Sequence, residues 1–289
     1  MEISAEQVRI LREKTGAGMM DCKKALTEAA GDFDKAIDIL RKKGAAVAAK
    51  RAERATNEGL ILTSVSADYK KAYMIETNSE TDFVSSSPDF VEFSKLALES
   101  LIKNSPADVE GLLKTTVNGK NIGEELTTLI GKIGEKLQVS RFTTLASESG
   151  AVVDYIHHGS KLGVLLQADN VGKGNVAELA ALLKDIAMQI AAMKPLCIYR
   201  EEVAKGVVEK EIEIYKELLR KEGKPEQMLD KIAQGKLNKF YQENCLYEQA
   251  FVKDNSKSIK DLIEDYNKKN SSSAKLTQFR RFHLSDETK

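Results

Sequence analysis

Few residues in this chain are of the kinds that do covalent or acid–base chemistry, and their spacing argues against each such use. Of the three histidines, His157 and His158 are adjacent and His283 lies far downstream, so no metal-ligand spacing arises. Cys22, Cys197 and Cys245 are scattered, with no CxxC and no paired spacing. That pattern fits a reducing compartment and neither a disulfide framework nor a zinc site. No nucleophile elbow, phosphate loop or HExxH occurs. Gly172-Lys173-Gly174-Asn175-Val176-Ala177 comes after a predicted strand and opens a predicted helix, as a dinucleotide fingerprint does. That helix leads into Pro195-Leu196-Cys197-Ile198, not into a parallel strand carrying an acidic residue for a ribose. The glycines therefore read as a loop and a helix cap. Carboxylates are plentiful but none is paired in an apolar context, which leaves acid–base catalysis without a candidate. The reading is of a protein that is not an enzyme and uses no cofactor and no metal.

Recognition chemistry is better represented. Thr77-Asn-Ser-Glu-Thr-Asp-Phe-Val-Ser-Ser-Ser-Pro-Asp-Phe90 reads as a small, polar loop between an apolar strand and an amphipathic helix starting near Asp89. Within it Asp82 and Phe83 stand side by side. Phe83 could tuck back onto the helix, but Phe90 and Phe93 already serve that helix at one-turn spacing. A projecting ring beside a carboxylate is the kind of residue that dominates binding to another protein.

Periodicity indicates the elements that must position this stretch. Residues 1–44 read as three helices. Ser4 and Gln7 form a capping box flanked by the Ile3/Val8 staple, and Thr15-Gly16-Ala17-Gly18 stops the first helix. The second helix carries Met19, Cys22, Leu26 and Ala29. Asp32 caps the third, with Gly44 as its stop. Met19 and Met20 are adjacent, so one is expected in the core and the other as an exposed, adaptable contact. Residues 45–55 read as a helical linker, and Lys50-Arg51-Ala52-Glu53-Arg54 as a solvated helix face within it.

The remainder contains a repeat. A hairpin from Gly59 through Thr77 matches one from Gly150 through Leu166, whose turn is His157-His158-Gly159-Ser160. A long helix comes after each hairpin, and a closing strand ends each copy, Val139–Thr143 in one and Phe279–His283 in the other. Two related α+β halves result, each a three-stranded antiparallel sheet with a helix on one face. The second half also carries a charged, heptad-like segment broken at Gly223-Lys224-Pro225. It reads as an antiparallel helical hairpin, residues 203–243, that stands out as an arm. The domains expected are 1–54, 55–147 and 148–289. Basic and acidic residues balance at 44 each, so nothing points to direct nucleic-acid binding. Neither a signal peptide nor a membrane span is read, and a cytoplasmic protein is expected.

Three stretches carry a resemblance. Thr15-Gly-Ala-Gly-Met-Met-Asp-Cys-Lys-Lys-Ala-Leu26, Asn78-Ser-Glu-Thr-Asp-Phe-Val84 and Tyr155-Ile-His-His-Gly-Ser-Lys-Leu-Gly-Val-Leu165 resemble signatures of the bacterial translation elongation factor Ts family, in the same order and over nearly the whole chain. The resemblance implies an α+β fold: an N-terminal three-helix, ubiquitin-associated-like module, two related subdomains and a protruding helical hairpin. It implies a guanine nucleotide exchange factor that promotes GDP release from the GTPase elongation factor Tu. Asp82 and Phe83, flanked by Thr81 and Val84, correspond to residues that wedge between GTPase helices near its magnesium site. A histidine of the second turn, His157 or His158 next to Gly159, assists. Met19, Met20 and Lys23 match positions that touch a GTPase helix, and the second half resembles the part that holds the partner's last domain. Two such complexes could pair as a homodimer. Family members often continue into a C-terminal helix with a further contact; this chain ends at Ser285-Asp-Glu-Thr-Lys289, and that contact is expected to be missing. The alternative from a different class is a non-catalytic adaptor that binds partners through the N-terminal module and the arm.

Overall fold

The computed structural model describes residues 3–286. Residues 287–289 lie outside it, and the expectation about the chain's end falls partly there. The N-terminal module consists of α1 (Ala5–Thr15), α2 (Met19–Glu28) and α3 (Phe33–Arg51). The signals at the start and end of its first helix act as read. Ser4 Oγ accepts from the Gln7 N–H while the Gln7 side chain accepts from the Ser4 N–H, and Gly16 ends α1 in the left-handed conformation. Val8, Leu11, Cys22, Leu26 and Ala36 form its core, with Ile3 packed beside them.

Gly44 does not stop the third helix. α3 runs on to Arg51, and the stretch expected to be a linker forms its last turns. The reason is tertiary. A Cβ at Gly44 would lie 2.5 Å from the Thr127 carbonyl oxygen, on a helix of the first half, and a Cβ at Gly131 on the same helix would lie 3.0 Å from the Gly44 Cα. Glycine here lets two helix backbones approach, and that packing outweighs a helix-propensity cost of about 1 kcal/mol. Val47 and Ala48 pack into the core of the first half.

That half comprises β1 (Glu58–Val65), β2 (Lys71–Ser79), α4 (Asp82–Ser85), α5 (Pro88–Asn104), α6 (Val109–Lys114), β3 (Thr116–Val117), β4 (Lys120–Asn121), α7 (Ile122–Ile133) and β5 (Leu137–Ala146). The second contains β6 (Ala151–Ile156), β7 (Leu162–Asp169), α8 (Val176–Met193), α9 (Lys205–Lys221), α10 (Glu226–Asn244), β8 (Ala250–Phe251), β9 (Asp254–Ser258), α11 (Ile259–Asn270) and β10 (Lys275–His283). The sheets run β1-β2-β5 and β6-β7-β10, all antiparallel, with the hairpin's second strand central in each. The repeat is fuller than periodicity suggested. Each half closes with a short hairpin, a helix and a strand: β3-β4-α7-β5 and β8-β9-α11-β10. The sequence reading omitted α11, although Ser258 with Asp261 three residues on forms a capping box there. The arm, α9 and α10, is thus an insertion between α8 and the β8-β9 hairpin.

Outer faces of the two sheets are covered by helices, α5 and α7 on one and α8 and α11 on the other. Their inner faces pack on each other through Ile61, Met74, Leu145, Val152, Leu165 and Phe282. Gly163 lies at a close approach of the two sheets, since a Cβ there would meet Ile61 at 2.7 Å and Met74 at 2.9 Å. The sheets are also tied by polar contacts. The Ile61 N–H donates to the Ser160 carbonyl at 2.7 Å, the Val152 N–H to the Tyr69 carbonyl at 2.8 Å, and Thr63 Oγ1 to Asp154 at 2.6 Å. The arm has its own small core of Leu219, Leu229 and Ala233 with Ile212, Tyr215 and Ile232. No helix among the described residues is long and apolar enough to cross a membrane.

Candidate functional site

Asp82 and Phe83 open α4, a single helical turn between the end of β2 and α5. The stretch read as one loop is therefore three things in succession: Thr77–Ser79 complete a buried strand, Thr81 caps the turn, and Ser87 caps α5. Thr81 Oγ1 accepts from the Val84 N–H, and Val84 packs inward against the first half's core. Phe83 points the other way and is 85% exposed. Packing of Phe83 onto the helix behind it is thereby excluded, whereas Phe90 and Phe93 are buried in that role. The Asp82 carboxylate is also exposed and takes no hydrogen bond from the described residues.

Such a ring is useful only if its base is rigid, and the residues Glu80 and Thr81 supply that rigidity. Glu80 accepts from Arg51 at 2.8 Å, from Arg54 at 2.9 Å and from the backbone N–H of Lys136 at 2.6 Å. Burial would raise the Glu80 pKa, but the Lys136 N–H and the Arg51 and Arg54 guanidiniums outweigh it and hold the group at about 2. Lys136 Nζ in turn donates to the carbonyls of Ala52 and Arg54. Thr81 donates its N–H and its hydroxyl to the two oxygens of Glu135, at 3.1 and 2.9 Å. Further down β2, Asn78 is held by Ser140 and Glu76, and Glu76 is buried in an ion pair with Arg141 at 2.8 Å.

The basic stretch read as a solvated face is thus partly a structural clamp, because Arg51 and Arg54 both close on Glu80. Sequence reasoning gave Arg51 and Arg54 no structural role and missed Glu135 and Lys136 altogether. Arg51 and Arg54 sit one helical spacing apart, and Glu80 lies inside a recognised motif, but 29 and 26 residues separate the partners. Nothing in periodicity joins them.

The turn His157-His158-Gly159-Ser160 comes to the same end of the molecule. Its Ser160 carbonyl accepts from β1, and Lys161 next to it bonds Glu58 at 2.7 Å and lies within the field of Asp82. Glu58 faces Ser79 across the sheet, at the root of the Asp82 turn. Gly159 holds a positive φ of 85°, which glycine adopts without strain. His157 Nδ1 lies 3.0 Å from the Tyr155 hydroxyl; His158 is exposed and has no hydrogen-bond partner among the described residues.

Met19, Met20 and Lys23 form a separate patch on α2. One methionine was expected in the core, but both are exposed, at 49% and 66%. Cys22, Ala25 and Leu26 fill the buried face of α2, and the two methionines fall on its first turn beyond the edge of that core. The patch is fixed to the rest through α3 on α7 and through Asp21, which pairs with Lys43. No group of His, Cys, Asp and Glu among the described residues could hold a metal ion.

Comparison with known proteins places the chain in a family. A family model described as "Elongation factor TS" covers residues 80–286, which begins at the Glu80 clamp and includes both closing strands and the arm. The chain belongs to the elongation factor Ts family. Among relatives, Elongation factor Ts of a Nitratiruptor species is 46% identical over 99% of this chain and 94% of its own. Elongation factor Ts of Chloroherpeton thalassium is 40% identical over 99% of both chains. That of a Clostridium perfringens strain is 46% identical over 97% of this chain and 92% of its own. The likeness to elongation factor Ts proteins therefore includes the N-terminal module that the family model does not reach.

Proposed function

We propose that this chain is a guanine nucleotide exchange factor for elongation factor Tu in translation, with Phe83 as the wedge that promotes GDP release. The observation that carries the reading is the pairing of an almost fully exposed phenyl ring with a clamped pedestal. An exposed apolar ring costs free energy in water, and a helical turn held by Glu80 and Thr81 loses little conformational entropy when it inserts elsewhere. Family membership identifies the partner class, and Asp82 beside the ring supplies a charge suited to disturbing a magnesium site on that partner. The His157-His158 turn borders the same surface and widens the contact. Met19, Met20 and Lys23 provide a second contact, on the rigidly held α2.

Exchange requires that binding of the factor and of GDP be anticooperative, and this coupling is reciprocal. Accelerating release about a thousandfold needs roughly 4 kcal/mol of selective stabilisation of the opening step. Burying one phenyl ring supplies on the order of 2–3 kcal/mol. Phe83 therefore contributes a large share, and the surrounding contact the remainder. Loss of magnesium coordination would loosen the phosphates further, since the ion offsets their charge.

The test is stopped-flow release of a fluorescent GDP from the GTPase, with thermal melting of each variant alongside. Phe83→Ala is expected to slow release by tens-fold or more with an unchanged melting temperature. Asp82→Ala is expected to reduce exchange with a smaller loss of affinity. Normal exchange by a folded Phe83→Ala protein would overturn the wedge. Tight binding by the unaltered protein without any acceleration would make it an adaptor.

A further inference from the structure

We propose that Cys197 and Cys245, at the root of the arm, are a disulfide-forming pair oxidised by low-molecular-weight disulfides such as glutathione disulfide. The two were read from the sequence as scattered and unpaired. In the fold, 48 residues apart in the chain, their sulfurs lie 3.8 Å from each other, both as free thiols. The backbone explains the meeting. Cys197 lies just beyond α8 and Cys245 caps the end of α10, and the two form a parallel β-bridge. Flanking hydrogen bonds hold it: Leu196 N–H to the Asn244 carbonyl at 2.9 Å, Leu246 N–H to the Cys197 carbonyl at 2.9 Å and Tyr247 N–H to the Ile198 carbonyl at 3.0 Å.

Bridged strands lie about 4.8 Å apart and residues opposite each other point to the same face. That spacing is inside the roughly 4.4–6.8 Å over which two Cα atoms carry a disulfide. A spacing in that range allows side-chain rotation to bring the sulfurs from 3.8 Å to the bonded distance of about 2.05 Å. The alternative use of a close thiol pair, metal binding, lacks further ligands, since no metal-competent cluster occurs among the described residues.

Accessibility sets the order of events. Cys197 is half-buried and Cys245 buried. The Cys197 thiolate attacks a sulfur of glutathione disulfide, forming a mixed disulfide and releasing one glutathione thiolate. The Cys245 thiolate then attacks the Cys197 sulfur and expels the second glutathione. Two protein thiols are oxidised and one glutathione disulfide is reduced to two glutathiones, with both thiol protons passing to the leaving thiolates. Burial pushes both thiols upward, Cys245 to about 12, so little thiolate is present near neutrality and the exchange is slow. The product encloses α9 and α10 in one covalent loop and fastens their two legs at the root.

The experiment equilibrates the full-length native protein with glutathione disulfide, quenches with acid, alkylates remaining thiols in denaturant and maps the peptides by mass spectrometry. Cys197 and Cys245 are expected to disappear from the alkylated pool and return as one cross-linked peptide, lighter by two hydrogens, while Cys22 stays alkylated. Cys245→Ser is expected to abolish the cross-link and leave glutathione attached to Cys197. Alkylation of both residues after exposure, or a cross-link that forms only when the protein is oxidised in denaturant, would overturn the pair. A glutathione adduct that settles on Cys245 in Cys197→Ser as readily as on Cys197 in Cys245→Ser would overturn the order of attack.

Discussion

Phe83 and Phe90 are seven residues apart and have opposite fates. Phe90 is fully buried beneath the first sheet, and its truncation to Ala should cost about 3–5 kcal/mol of stability. Phe83 is exposed, so the same truncation should leave the melting curve in place while impairing exchange. Melting the two variants side by side separates a packing residue from a contact residue. The cysteines are graded in a similar way. Cys22 is fully buried, burial raises its thiol, and its sulfur is engaged by the Ala17 carbonyl at 3.6 Å and Thr15 Oγ1 at 3.9 Å. In the native protein a maleimide should therefore label Cys197 first and Cys22 only on the timescale of opening. Rapid native labelling of Cys22 would mean that the N-terminal core opens far more readily than its packing implies.

At the level of elements, the Asp82 turn is positioned by parts of the chain on either side of it: the end of α3 and the junction between α7 and β5. Glu80 is the group that joins them. Its carboxyl is held at about 2 in the fold against an ordinary 4.5, so its contribution to stability is complete above about pH 4.5 and is lost as pH falls toward 2. Glu80→Gln should therefore be less stable than the unaltered protein at neutral pH, and the two should converge as pH is lowered through that window. Parallel melting-temperature profiles for the two proteins, with no convergence, would show that the clamp contributes nothing through its charge. Because Phe83 stands on this clamp, Glu80→Gln should also slow exchange at neutral pH. The glycine crossing of α3 and α7 belongs to the same device, since it brings Arg51 and Arg54 to where Glu80 can be reached.

For the whole molecule, the repeat and the insertion decide what can be removed. The two sheets share one inner core, so neither half is complete without the other. The arm is different, with a stripe that pairs internally and a separate small core. Replacing residues 203–243 with a short Gly/Ser linker should leave a protein that still melts cooperatively, with a modest loss where Arg200 stacks on Tyr241 at the root. Disappearance of the cooperative transition in calorimetry would show that the arm is part of the fold's core. Removal of the first 54 residues is a harsher change than a linker boundary suggests, because it takes away Val47, Ala48, Arg51 and Arg54 together.

The helical caps, the paired hairpins, the arm and the Asp82-Phe83 stretch were legible in the sequence because each rests on contacts only a few residues apart: capping boxes, strand alternation and heptad spacing. The exposure of Phe83 was legible too, from a polar run with one aromatic that no local stripe needed; the histidine turn and the α2 patch were marked only by the family resemblance. Tertiary structure alone decided the rest. Face-to-face packing of the two sheets buries both sides of β2 and β7, which removes the alternation that would have announced it. Gly44 reads locally as a stop and becomes a crossing point only when α7 lies against it. Both methionines of α2 are exposed because the module's core, not helix spacing, sets which face is covered. Glu80 with its arginines, and Cys197 with Cys245, are pairings between residues 26 to 48 apart in the chain. No local propensity encodes such pairs. They exist because the packing of cores carries the backbones that bear them to within bonding distance.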